Sequence, residues 1–223
     1  MPPFSTPKAS VLYRVLYPFV TSIYEGLFSL ETYGTENVPS VGPCMLVANH
    51  VSYLDPIPFG SKLHRDIFFL ARKSLFSDSF LKTKWGAKFV EAMHMLLIQR
   101  DGSAIEGLRC MLKNLSQERC ILMFPEAVRS PDGKIKKAKE GIGLILCRTH
   151  IPVVPARIFG AYEMLSRYHT LPDLRHSLDI VYGSPLSPAD YDPGKAHPER
   201  YAEASRRIMS AIAALKRPHI PCI

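Results

Sequence analysis

The stretch CMLVANHVSYLD at residues 44–55 gives the clearest indication of both the fold and the chemistry of this chain. Its first five residues form an unbroken apolar run of strand length, which is typical of a strand buried on both faces of a parallel sheet. Polar residues follow at once, and they include His50 and Asp55. Across a turn of this length the Asp55 carboxylate can accept the imidazole N–H of His50. The second ring nitrogen of His50 can then act as a general base.

A second interpretation of the same residues is purely structural. Aspartate is a preferred N-cap residue, and a helix is predicted to begin at Asp55. In that case Asp55 would cap the helix, and His50 would only pack in the loop. This stretch taken alone leaves both interpretations open.

Outward from this stretch, apolar runs of strand length alternate with helical patterns. The predicted strands are 44–48, 67–70, 95–98, 120–124, 152–158 and 178–182, and the predicted helices are 55–63, 78–88, 103–116, 139–149 and 197–216. The alternation predicts an α/β fold, with a mostly parallel mixed sheet flanked by helices. Residues 31–217 would form this single domain and residues 218–223 a tail. In such a sheet, reactive residues tend to lie on loops after strand ends.

Residues 1–30 are predicted to form an amphipathic, membrane-associating helix. Apolar residues recur there at helical spacing, flanked by Tyr13, Tyr17 and Tyr24. The helix could dock on the protein's own core, or lie in a membrane interface with its tyrosine rings at headgroup depth, and both can hold at once. Pro18 interrupts the stripe, as do charged residues, so we do not expect the helix to cross a bilayer.

Charge and cysteine content narrow the classes of function. The net charge of +8 favours anionic partners such as acidic lipid headgroups, phosphorylated metabolites or nucleic acid. The five cysteines form no CxxC pair and the eight histidines no HExxH motif, so we expect no disulfide, no metal site and no cofactor. The N-terminal residues lack the pattern of a secretory signal, which favours a cytoplasmic protein.

A second candidate site follows the predicted strand 120–124, in the sequence FPEAVRS at residues 124–130. Proline stiffens this loop, and a carboxylate and a guanidinium held on it suit polar recognition. Arg129 could bind a phosphate through two N–H groups at once, with Glu126 nearby. The alternative is an exposed loop whose charges are simply solvated.

Two further cations are candidates for binding an anionic substrate. Arg100 follows the predicted strand 95–98, and Lys139 leads into the helix predicted over 139–149. The basic tract at residues 134–137 could gather phosphate charge as well, or could be a solvated hairpin tip.

The chain carries no pattern for a covalent catalyst of its own. Neither a GxSxG motif nor a GxxxxGK[ST] motif occurs. Cys147 and His150 lie on an apolar helical run, where they are more often core and edge residues than a nucleophilic pair. The histidine must therefore activate a nucleophile that the substrate brings.

Four blocks in this order resemble the glycerolipid acyltransferase family, that of the 1-acylglycerol-3-phosphate acyltransferases. The blocks are NHxxxxD at His50 and Asp55, the arginine closing the second block at Arg100, FPEAVRS at residues 124–130 where the family has FPEGTRS, and IPVVP at residues 151–155. The resemblance covers roughly residues 30–185. Four ordered blocks are far more specific than any one of them.

The resemblance implies an α/β enzyme of phospholipid biosynthesis. It would move an acyl group from acyl-CoA or acyl carrier protein, as co-substrate, to the free hydroxyl of a lysolipid such as 1-acylglycerol-3-phosphate. His50 would be the base and Asp55 its orienting partner. The implied substrate-binding residues are Arg100, Glu126, Arg129 and Lys139. With the predicted N-terminal helix, we expect a peripheral or monotopic protein at the cytoplasmic face of a membrane with anionic lipid.

The third block departs from the family pattern. Ala127 and Val128 stand where the family has glycine and threonine. A Cβ thus enters a turn where glycine permits positive φ, and a hydroxyl donor is lost. A different acceptor, such as a lyso-ornithine lipid, is therefore an alternative, and a non-catalytic lipid-binding protein is another. A nucleic-acid-binding protein is disfavoured because no zinc-finger or aromatic RNA-binding motif occurs.

Overall fold

The strand that opens the quoted stretch lies at the centre of a sheet. The computed structural model describes residues 11–52, 55–98, 104–166, 168 and 171–218. In these residues the strands are β1 (Glu31–Tyr33), β2 (Cys44–Ala48), β3 (Ile67–Arg72), β4 (Met95–Ile98), β5 (Cys120–Met123), β6 (Val153–Phe159) and β7 (Asp179–Tyr182). They form one sheet in the order β1-β7-β6-β2-β5-β3-β4. All six predicted strands are confirmed.

The direction of the strands sets where the loops meet. β6, β2, β5, β3 and β4 run parallel to one another, whereas β7 is antiparallel to β6 and pairs in parallel with β1. The predicted mostly parallel mixed sheet is confirmed. Because β2 and β5 are adjacent and parallel, the loops that follow them leave the same edge of the sheet.

Helices cover both faces of this sheet. They are α1 (Val11–Phe28), α2 (Asp78–Lys82), α3 (Lys84–Ala92), α4 (Ala104–Leu115), α5 (Gly141–Thr149), α6 (Ala161–Leu165), α7 (Pro188–Tyr191) and α8 (Arg200–Ala214). Successive side chains of β2 pack into two hydrophobic cores, one on each face of the sheet. Leu46 packs in the core with α1 and α6, and Met45 and Val47 pack in the core with α4, α5 and α8. Burial of β2 on both faces explains its unbroken apolar run.

The predicted helix 55–63 is wrong. A turn follows Asp55, and a short 3-10 helix spans Pro58–Gly60. Ser61 ends this turn, because it is extended, with φ −62° and ψ 140°, and its hydroxyl donates to Pro58 O at 2.7 Å. The Tyr17 hydroxyl also donates to Ile57 O at 2.7 Å and lies so close to Gly60 that a Cβ there would meet it at 2.0 Å.

The helix predicted over 78–88 is broken in two at Thr83. This residue is extended, with φ −77° and ψ 150°, and its side chain accepts the Gly86 N–H at 2.9 Å. It therefore caps α3 instead of continuing α2.

The N-terminal helix α1 has one buried and one exposed side in the part whose side chains are described, residues 17–28. Tyr24 and Phe28 belong to the core, which confirms that the helix docks on the protein itself. Phe19, Ile23 and Leu27 recur at helical spacing on the other side and are 64%, 40% and 52% exposed. Among the described residues, no helix combines the length and apolar character needed to span a bilayer.

Candidate active site

His50 and Asp55 are in contact at the carboxyl end of β2. The His50 Nδ1 and Asp55 Oδ2 atoms are 2.8 Å apart. A carboxylate can only accept, so Nδ1 carries the hydrogen and Nε2 is left as the basic nitrogen. The Asp55 side chain is fully buried, whereas 19% of the His50 side chain is exposed. The predicted pair therefore forms, and its base can be reached by a substrate.

Backbone donors hold Asp55 in place. The N–H groups of Val51 and Ser52 donate to Asp55 Oδ2 at 2.6 and 2.8 Å, the same oxygen that accepts from His50. The carboxylate thus reaches back to the loop before it. The 3-10 helix that follows has no side-chain cap. The alternative in which Asp55 is only a helix N-cap is wrong.

The loop after β5 holds the main chain of His50. Glu126 Oε1 accepts the His50 N–H at 3.2 Å, and the Ser130 N–H donates to His50 O at 2.8 Å. The Phe124 ring stacks on the imidazole, with centroids 4.2 Å apart and planes 17° apart. The imidazole is therefore constrained by its ring nitrogen, by its ring face and by its own backbone.

The buried Glu126 side chain connects the backbone of His50 with the backbone of Lys136. Its second oxygen, Oε2, accepts the Lys136 N–H at 3.2 Å, and the residue is 2% exposed. Burial raises the pKa of Glu126, although the N–H donors of His50 and Lys136 act in the opposite direction. The contact with the acceptor that we predicted for Glu126 stays a prediction.

The turn of the third block takes the conformation that favours glycine. Ala127 has φ +60°, and its N–H donates to Phe124 O at 3.1 Å. An L-residue in this left-handed region costs about 1–2 kcal/mol. Val128, the other departure from the family pattern, is 54% exposed. The substitutions thus place strain and apolar surface beside the predicted phosphate site.

The rest of this loop folds back on its start. Lys139 N donates to Pro125 O at 2.9 Å, and Ser130 Oγ donates to Lys134 O at 2.7 Å. Residues 131–139 form this irregular loop, so the basic tract is exposed as in the alternative of a solvated tip, but it is not a hairpin. Arg129 is half-buried next to Ser130, and the Lys139 side chain is exposed. Both predicted cations therefore lie on the loop that holds His50.

This pairing of loops lies within the region that a family model recognises. The model of the family described as Acyltransferase matches residues 29–159. The chain belongs to the acyltransferase family. Both β2 and β5, with the loops that carry His50 and Glu126, fall inside the matched residues.

Several members of the acyltransferase family are similar to this chain in sequence. The chloroplastic 1-acyl-sn-glycerol-3-phosphate acyltransferase BAT2 of Brassica napus is 26% identical over 151 residues, which are 67% of this chain and 40% of that protein. The 1-acyl-sn-glycerol-3-phosphate acyltransferase of Cocos nucifera is 25% identical over 181 residues, which are 78% of this chain and 53% of that protein. The chain thus spans about half or less of the length of these relatives.

A solved structure supports the fold. The 1-acyl-sn-glycerophosphate acyltransferase PlsC from Thermotoga maritima aligns with a TM-score of 0.63, covering 92% of this chain and 83% of that chain. The two sequences are 20% identical, so this likeness concerns the fold alone.

Other predicted features of this acyltransferase-family chain have different outcomes. Arg100 lies outside the described residues, and its role stays a prediction. Cys147 is buried and His150 is an exposed C-cap residue, which confirms the core-and-edge interpretation. In the part of the chain that the structure describes, no group of His, Cys, Asp and Glu could hold a metal ion.

Two contributors to the site were missed in the sequence. The sequence places Phe124 at the end of a predicted strand and Ser130 at the end of the third family block. Their contacts with the His50 ring and carbonyl depend on the adjacency of β2 and β5. An aromatic residue at a strand end beside a polar loop was the available signal for Phe124.

Proposed function

We propose that this chain is an O-acyltransferase that esterifies the free hydroxyl of a lysophospholipid, with 1-acylglycerol-3-phosphate as its acceptor. The observation that carries the proposal is the pair formed by His50 and the fully buried Asp55, at 2.8 Å, on the loop after β2. Relatives named for this reaction, 1-acyl-sn-glycerol-3-phosphate acylation, support the choice of acceptor.

The chemistry needs one base and an activated donor. His50 Nε2 takes the proton of the acceptor hydroxyl as its oxygen attacks the thioester carbonyl. The tetrahedral intermediate then collapses and expels the thiolate, which recovers the proton from the imidazolium. Asp55 keeps the ring in the correct tautomer and stabilises its positive charge. The thioester is already activated, so direct transfer requires no covalent enzyme intermediate.

The substrate's charges meet basic residues of the same edge. Arg129 and Lys139 bind the acceptor phosphate from the loop after β5, together with Arg100. Acyl-CoA and acyl carrier protein are both suitable donors, because each presents the same thioester. The donor is a co-substrate, and no cofactor takes part.

The acceptor and the product are lipids, so the enzyme works at a membrane. The exposed side of α1, with Phe19, Ile23 and Leu27, supports peripheral or monotopic binding at a cytoplasmic membrane face that contains anionic lipid.

A second candidate is a different acceptor, such as a lyso-ornithine lipid. It is favoured by the third block, where Ala127 adopts φ +60° and Val128 is exposed in place of the family's glycine and threonine. A change in this loop alters the surroundings of the acceptor headgroup and leaves the pair of His50 and Asp55 intact.

The test is a donor-by-acceptor panel on the purified protein in detergent. Two donors, labelled acyl-CoA and carrier protein loaded with the same labelled acyl group, are each offered with 1-acylglycerol-3-phosphate and with lyso-ornithine lipid. Transfer to the phosphate acceptor that is lost in His50→Ala supports the proposal, and transfer confined to the ornithine lipid supports the second candidate. Lipid binding without turnover on any pair would make the chain a non-catalytic lipid-binding protein.

A further inference from the structure

A long exposed stretch connects β3 and β4. Residues 72–91 are almost all exposed or half-buried, and we call them the basic aromatic segment. β3, β5 and β2 are parallel, so the segment begins at the sheet edge where the loop of His50 begins. β4 is parallel to β3, so the segment must return to the opposite edge before β4 starts. It therefore starts at the same edge of the sheet as the candidate active site.

Large apolar side chains of this segment face outward. Leu75, Phe80 and Trp85 are 58%, 36% and 81% exposed. Trp85 is the one tryptophan of the chain. Tryptophan is highly buried on average, so its exposure in a segment that also exposes Leu75 and Phe80 indicates a surface that binds a partner.

The exposure does not result from loose packing. The rings of Phe76, Phe80 and Phe89 lie 6.0 to 6.4 Å apart in one aromatic cluster. Gly86 is buried against α2, where a Cβ would lie 2.0 Å from Phe80 O. Ser77 and Thr83 cap the two helices with their side chains. The segment is thus a packed pair of helices that presents Trp85 on its outside.

Positive charge accompanies these apolar groups. The exposed charged residues of the segment are the cations Arg72, Lys73, Lys82, Lys84 and Lys88 and the acids Asp78 and Glu91. Five cations against two acids give a net charge of +3. Lys84 directly precedes Trp85, so a partner that contacts the indole ring also lies close to the ammonium group of Lys84.

We propose that the basic aromatic segment is a membrane-binding element, which inserts Trp85 and Leu75 into the interface of an anionic bilayer while its lysines bind lipid phosphates. An exposed indole among lysines matches the interfacial belt of membrane proteins, where the ring lies at headgroup depth. Each lysine near an anionic surface adds electrostatic attraction. The element is distinct from the membrane contact of α1.

The position of α1 supports this assignment. α3 packs against α1, and α1 exposes Phe19, Ile23 and Leu27. Tyr17 of α1 reaches Ile57, just after Asp55, so this helix also approaches the active-site edge. The start of the segment and α1 thus both approach the catalytic edge, where their apolar side chains would let a lysolipid reach His50 from the bilayer. This rationale rests on the proposed function, but the binding itself does not.

An acidic carrier protein is the competing partner for a basic surface. It would use the lysines, but would not require Trp85 to enter an apolar layer. The combination of an 81% exposed indole with Leu75 therefore favours lipid.

Fluorescence of the full chain tests the proposal directly, because Trp85 is its one tryptophan. The protein is titrated with vesicles of phosphatidylglycerol and phosphatidylcholine, and with pure phosphatidylcholine vesicles. We expect the emission to move to shorter wavelength with the anionic vesicles, and brominated acyl chains to quench it. An acidic acyl carrier protein is titrated in parallel.

Sedimentation with the same vesicles measures the charge contribution. Lys82→Ala, Lys84→Ala and Lys88→Ala are combined in one variant, and we expect its partition coefficient to fall at least about tenfold. The control combines Lys113→Ala, Lys195→Ala and Lys216→Ala, which removes the same charge from exposed positions outside the segment. Trp85→Ser should weaken binding, and Trp85→Phe should restore part of it.

The outcomes separate this proposal from the proposed function. Vesicle binding with unshifted, unquenched Trp85 emission would overturn it, since the membrane contact would then lie elsewhere. Equal losses in the two triple-lysine variants would also overturn it, as would a shift with carrier protein but not with vesicles. Acyl transfer to a soluble short-chain acceptor in detergent should be unchanged in all these variants, and it reports on the proposed function alone.

Discussion

The loops after β2 and β5 each contain a buried carboxylate that serves a different part of the same histidine. Asp55 and Glu126 are 1% and 2% exposed, and each accepts backbone N–H groups. Asp55 also accepts the imidazole N–H, whereas Glu126 accepts the N–H of the His50 main chain. One carboxylate thus contacts the ring that we propose as the base, and the other holds the backbone that positions this ring. Substitutions in the two loops should therefore have distinguishable effects.

The largest effect is expected from His50→Ala. Loss of a positioned base typically lowers the rate ~10²–10⁴-fold. The fold should persist, because the histidine is partly exposed at a strand end and its backbone bonds remain possible. Steady-state kinetics at saturating substrates, with circular dichroism as the control, measure this. Near-normal turnover would eliminate the histidine as the base.

Asp55→Asn should slow turnover by about 10²–10⁴-fold, nearly as much as the loss of the base itself. Asparagine keeps an oxygen for the Val51 and Ser52 N–H groups, but its amide can donate to His50 Nδ1. That contact favours the tautomer with hydrogen on Nε2, which cannot take a proton. Both kcat and the unfolding midpoint are measured. Full activity would show that Asp55 has no part in the chemistry.

Arg129→Lys probes the loop after β5 as a substrate contact. Lysine keeps the charge but loses the planar two-donor geometry, so kcat/KM for the acceptor should fall by about tenfold. The KM of the thioester should change much less. Kinetics with acceptor and donor varied separately decide this, and a change confined to the donor would assign Arg129 to the donor's phosphates.

Glu126→Gln probes the same loop as a support. The amide group of glutamine would face the N–H of His50 or Lys136, so one of these donors loses its acceptor. We expect kcat to fall several-fold and the free energy of unfolding to fall by about 1–3 kcal/mol.

The relative sizes of the losses in turnover and in stability should distinguish the roles of the two carboxylates. In Asp55→Asn the rate should suffer more than the stability, and in Glu126→Gln the stability should fall clearly. If Glu126→Gln raises the acceptor KM without loss of stability, the carboxylate contacts substrate as the family resemblance implies.

The smallest effect is expected from Ala127→Gly. Relief of the left-handed conformation is worth about 1–2 kcal/mol, and the extra entropy of glycine in the unfolded chain opposes it by about 0.5–1 kcal/mol. The free energy of unfolding should thus rise by at most about 1.5 kcal/mol, measured in urea. A clear loss of stability would mean that the methyl group of Ala127 has packing contacts that outweigh the backbone strain.

The sequence predicted the ring contact but not the backbone support. His50 and Asp55 are five residues apart, so their pairing is a local property of one loop. Glu126 and Ser130 reach His50 across 76 and 80 residues, respectively. Their contacts follow from the pairing of β2 with β5, which no short-range pattern specifies. The block at residues 124–130 was therefore recognised as polar and basic, while Glu126 was expected at the substrate.

The exposed segment between β3 and β4 gives a similar contrast. Its helical pattern was visible over 78–88, but periodicity does not tell an aromatic residue that packs in the core from one that remains outside. Trp85 is exposed because α3 turns other positions inward, with Gly86 buried against α2 and Ala92 buried as well. That orientation depends on neighbouring elements, and so does the break at Thr83.

By itself, the sequence determined the α/β class and six of the seven described strands, and it placed His50 and Asp55 close enough to pair. Each follows from local rules: apolar runs seek burial on both sides, and side chains a few residues apart across a turn can touch. The tertiary structure alone decided the strand order, the hold of Glu126 on the His50 backbone and the exposure of Trp85. These depend on which elements become neighbours, because parallel strands distant in sequence pair only when both faces of the sheet are covered, and that is a property of the whole chain.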